Sequence, residues 1–275
     1  MNFKNMAVSI SGKQTDLNSH YYAESVSISE QLSELNFASL GSNSINTATA
    51  KAPEGTIDVS FYITTGQEIE AITGHYGKTG FIEVQVGPFV ASDSLLQSFD
   101  IGLDSEGIMK GSMNYQYYGQ VTSGSAPSAP APTTILPAHG AASSLELSSM
   151  GVSSAIDVSY SFSQSYNVGF SLGSSAPARV TFESLTKTLG INTQAQDVNF
   201  GKSNLTGTSG ICHNQDGEDG FSIKSGIINL KNLCNESVAT LSVTGYLDSR
   251  DLSAGPNENV QQSLTLLEVS AEGDC

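Results

Sequence analysis

The segment best suited to hold an ion is NQDGEDG, Asn214 to Gly220, where Asn214, Asp216 and Glu218 alternate like the first oxygen ligands of a calcium loop. The pattern then breaks. Asp219 stands where the sharp turn needs glycine, Gly220 comes one residue late, and Ser225 replaces the closing bidentate glutamate. It reads as an exposed acidic turn. Gly77-Lys78-Thr79 has the ending of a phosphate-binding loop, but that loop requires a glycine where Ile72 stands, so a turn before a strand at Phe81 to Val86 is the better reading. His20, His75, His139 and His213 lack partners at the spacing of a helix-borne or finger-type metal site. Cys212 and His213 are adjacent, and neighbours on a strand point to opposite faces. The abundant serine reads as surface and turn material, with no nucleophile elbow assigned. The sequence therefore predicts no catalytic residue, no cofactor-binding residue, no metal ligand and no cofactor. The expectation is that the protein is not an enzyme, although carboxylate pairs set by spatial separation leave no sequence spacing to test.

Cys212, Cys234 and Cys275 are too few and too unevenly spaced for a disulfide scaffold, so reduced thiols are expected. A bridge between Cys212 and Cys234 stays open, because it depends on a Cα separation that spacing does not supply. The opening stretch MNFKNMAVSISGKQTDL lacks the apolar run of a secretory signal, and no run of about 18 apolar residues occurs. Folding in the cytosol and no membrane contact are the expectations. A formal net charge of -16 over 275 residues repels phosphate and disfavours a nucleic-acid grip.

The elements that would carry any site are strands. Only 14% of residues are charged, and the apolar runs are short and β-branched or aromatic, as at Val26 to Ile28, Ile57 to Ile63 and Val238 to Val243. One helix is predicted at Gln67 to Thr73, with Ile69 and Ile72 three apart and Gly66 and Gly74 just outside its ends.

The stretch SGSAPSAPAPTTILPAHG, residues 123 to 140, reads as a semi-rigid connector that divides the chain almost in half. Residues 1–122 hold 13 acidic and 5 basic side chains and residues 140–275 hold 14 and 6, so each half carries -8. At an offset of 132, AESVSISEQLSELNFASLGS from Ala23 lies over AIDVSYSFSQSYNVGFSLGS from Ala155 with eight of twenty positions identical. Ala52-Pro53 and Ala176-Pro177 follow, each succeeded by a strand-like run, Ile57 to Ile63 and Val180 to Phe182. The closing alternation Met113, Tyr115, Tyr117, Gly119 is matched to Ala239, Leu241, Val243, Gly245, and Leu185 to Leu189 to the helix. This predicts an all-β protein of two tandem β-sandwich or partly open barrel domains, each with at most one short helix: residues 1–122, a linker at 123–139, and an internal duplicate at 140–275.

The order A-E-S-V-S-I-S or A-I-D-V-S-Y-S, then S-L-G-S, then A-P, then TIDVSFYIT, resembles the tail tube proteins of long-tailed bacteriophages, over about residues 20–120 and more faintly 150–250. The resemblance implies a structural virion protein assembled in the host cytoplasm. Its partners would be copies of itself in stacked rings, other tail proteins, and viral DNA passing through the lumen without tight binding. With a duplicated domain, three chains would supply six wedges. The polar stretch from Gly41 to Pro53 would be a mobile loop touching the ring above. The alternatives are a surface-displayed binding or adhesion module, or a neck, terminator or decoration protein that forms rings without stacking. Against the binding module stands the lack of an aromatic platform beyond Tyr115, Tyr117 and Tyr118, which read as core and interface.

Overall fold

A computed structural model describes residues 2–12, 18–31, 34–38, 45–49, 53–64, 66–127, 136–147, 155–171, 176–194, 224–253 and 261–271. The protein is all-β. Among the described residues thirteen strands form one antiparallel sheet system and the only α-helix is α1, Gln67–Thr73, where the sequence predicts it. No described helix is long and apolar enough to cross a membrane.

Alternation explains the strands. In β5 (Glu54–Tyr62) Ile57, Val59 and Phe61 point inward between more exposed neighbours, and in β8 (Lys110–Tyr118) Gly111, Met113, Tyr115 and Tyr117 do the same. Burying a side chain of this size contributes about 1.5–3 kcal/mol. The other strands of the first half are β1 (Asn2–Gly12), β2 (Asn18–Gln31), β6 (Ile82–Val86) and β7 (Phe89–Asp104). Each pairs with two of the others in the order β1-β2-β5-β8-β7-β6 and back to β1, so these six close into a ring. Closure leaves the ring no free sheet edge along its paired lengths. Helix α1 contacts β2, with Ile69 and Ile72 buried. A separate hairpin joins β3 (Glu34–Ala38) to β4 (Ile45–Thr49). Part of the stretch from Gly41 to Pro53 expected as a loop is thus strand, because Ile45, Thr47 and Thr49 favour extended backbone.

The second half contains β10 (Ser144–Leu147), β11 (Ala155–Phe170), β12 (Pro177–Gln194), β13 (Lys224–Lys231), β14 (Ser237–Ser253) and β15 (Gln261–Ala271). Its pairings run β11-β12-β15-β14-β13-β10. That is the order of β2-β5-β8-β7-β6-β1, strand for strand. The series departs at one point: no pairing joins β10 to β11 among the described residues, and β11 pairs with β7 of the first half instead.

Two expectations are corrected. Leu185 to Leu189 lies inside β12 and is not a helix; Leu185, Leu189, Ile191 and Thr193 are buried at even spacings, a period of two. The alternation of β8 corresponds to β15 and not to the Ala239–Gly245 stretch, since β14 occupies the place of β7 in the pairing order. The expected connector is structured where described. Residues 122 and 123 form β9 (Thr122–Ser123) against Phe89 and Val90, and Ala138 is fully buried. Residues 128–135 lie outside the described part.

Candidate assembly surface

The joint between the halves is built on one edge of β7. Its first residues, Phe89 to Ser94, pair with β6; after the register shift between Leu96 and Ser98, residues Ser98 to Asp104 pair with Ser163 to Asp157 of β11. Facing pairs Phe99–Phe162, Ile101–Tyr160 and Leu103–Val158 are all buried. Directly opposed residues on antiparallel strands share a face, so the ring interior runs on into the second half as one hydrophobic cluster. The rings of Phe61 and Phe99 lie 6.2 Å apart, Phe99 and Tyr160 6.1 Å, and Tyr76 and Phe162 4.8 Å.

Polar groups in this seam are mutually satisfied. The Tyr76 and Tyr160 hydroxyls are 2.8 Å apart. The Gln164 side-chain amide donates to the Leu96 carbonyl at 2.7 Å and accepts from the Gly77 backbone N–H at 3.3 Å. Lys187 meets Glu268 at 2.5 Å, Glu268 also accepts the Thr244 backbone N–H at 2.9 Å, and the Lys187 ammonium lies 5.1 Å from the centre of the Tyr76 ring. Burial pushes both tyrosine pKa values up, so both stay protonated. His75, buried beside the seam, has an Nε2 with no hydrogen-bond partner; desolvation, assisted by the Lys78 charge, lowers its pKa to about 4.

A second seam runs through residues 136–139. Ala138 donates its N–H to Ile63 O at 2.7 Å and accepts from Met109 N at 3.0 Å, while His139 N–H reaches Lys231 O at 2.9 Å. Bridges link Ile108 to His139 and Ala138 to Asn232. Gly140 fits because it lacks a Cβ, which would lie 1.9 Å from the Asp104 carbonyl oxygen. Ile108, Leu136 and Leu233, all exposed, are carried by this stitched region.

The residues tested for chemistry are dispersed. Gly77-Lys78-Thr79 follows α1 instead of preceding a helix, and the Gly77 N–H is bonded to Gln164. His139 Nδ1 accepts from Ala141 N at 3.1 Å and caps a 3-10 turn at Gly140–Ala142. Ser225 lies in β13, and Cys234 is a free, exposed thiol. Tyr115, Tyr117 and Tyr118 are buried, and burial raises the last two to about 12. Cys212, His213, Asn214 to Gly220 and Cys275, and the side chain of His20, lie outside the described residues. Among the described residues no three His, Cys, Asp or Glu side chains group as a metal site. One spacing missed in the sequence is Gly169-Phe170-Ser171-Leu172-Gly173, which reads G-x-S-x-G. Gly169 and Phe170 end β11 and lead into β12, whereas a nucleophile elbow is a turn from strand to helix. A cleft of about 300 Å³ lies between β10 and β11, which do not pair among the described residues; Asp104, Ser105, Ser143, Ser144 and Asp157 are the polar side chains of its described lining, which holds no histidine or lysine.

What the arrangement can do is pair backbone edges. Thr244 turns its N–H away from β13 toward Glu268 of β15, so β13 and β15 flank β14 on opposite sides. Asp248 to Ser253 then have no described strand on the β13 side. On β2, the described pairing with β1 covers Asn18 to Ser27. A strand edge with no partner is a template for another chain. No protein-family model matches the sequence, and no curated protein matches it.

Proposed function

We propose that this protein is a ring-forming structural subunit of the kind found in the tail tubes of long-tailed bacteriophages, with a non-catalytic role. The observation that carries the reading is the β7–β11 joint: one six-strand unit attaches to a second series of the same pairing order, edge to edge. The shared order supports a duplicated domain at the two halves of the chain. Repeating the joint from chain to chain would close a ring, and three chains would supply six units.

The charge fits a conduit for DNA. A lumen through which a polyanion slides must not hold phosphate, and 27 acidic against 11 basic side chains give a repulsive field. Virion location, other tail proteins as partners and assembly in the host cytoplasm belong to the same reading. Negative-stain electron microscopy of the purified protein tests it. Stacked rings with an open lumen are expected; unstacked rings would move the role to a neck, terminator or decoration protein, and monomers at every concentration would overturn ring formation in favour of a surface-displayed binding module.

A further inference from the structure

We draw no further inference here: the strongest candidate, the exposed apolar patch of Ile108, Leu136 and Leu233 on the seam through residues 136–139, carries none, because nothing in the structure shows what covers it.

Discussion

Leu96 and Leu247 occupy the same position in their strands: each is the last paired residue before a register shift, and pairing resumes at Ser98 and Ser249 respectively. A bulge locally increases twist and bends the strand that carries it. In β7 this is where the edge passes from β6 to β11, so the bulge marks the point at which one unit hands its sheet to the next.

Because the joint is one hydrophobic cluster, its loss should be felt in both halves. Phe162→Ala should cost about 3–5 kcal/mol, read from denaturant unfolding. Wild type and variant should each unfold in a single transition by fluorescence and circular dichroism. Two separated transitions in the wild type would show that the halves fold independently.

Gln164→Leu removes the partner of the Leu96 carbonyl and the Gly77 N–H. Leaving such groups unmet costs about 1–3 kcal/mol. Hydrogen exchange at the Gly77 amide should speed up in the variant, and unchanged exchange there would contradict the assignment.

Gly140→Ala places a methyl against the Asp104 carbonyl, 1.9 Å away before relaxation. The two halves must part locally to admit it, and the expected loss is about 3 kcal/mol, at the upper end of ordinary overpacking. A thermal melt within 1 °C of wild type would show that the close approach is not maintained in solution.

His75 makes stability depend on pH with a definite sign. Its pKa falls from 6.5 to about 4 on folding, so between those values the unfolded chain binds the extra proton. Stability should fall as pH drops through that window, by up to about 1.4 kcal/mol per unit, with no further loss from this group below pH 4. His75→Leu should flatten this component while leaving carboxylate titration in place. Parallel curves for wild type and variant between pH 7 and 4.5 would contradict it.

The local elements were legible in the sequence and their partnerships much less so. Ile69 and Ile72 between flanking glycines marked α1, and alternation marked β5 and β8. Leu185 and Leu189 misled because a spacing of four fits one turn of helix and also two steps of strand; the β-branched Thr186 and Thr188 between them were the better signal. Matching the β8 alternation to Ala239 through Gly245 failed for a related reason: every half-buried strand alternates, so alternation does not say which strand is which. The joint was illegible because facing residues Phe99 and Phe162 lie far apart along the chain, and nothing in either local pattern names the other. Burial of Ala138 was hidden by the proline-rich composition around it.

The most direct test of the account is a cryo-electron microscopy reconstruction of the assembled ring. The account predicts three chains, six similar units, and one continuous sheet in which a strand-paired joint between chains alternates with the β7–β11 joint within each. A ring whose chains meet through side-chain contacts alone, with no strand pairing across the boundary, would contradict it.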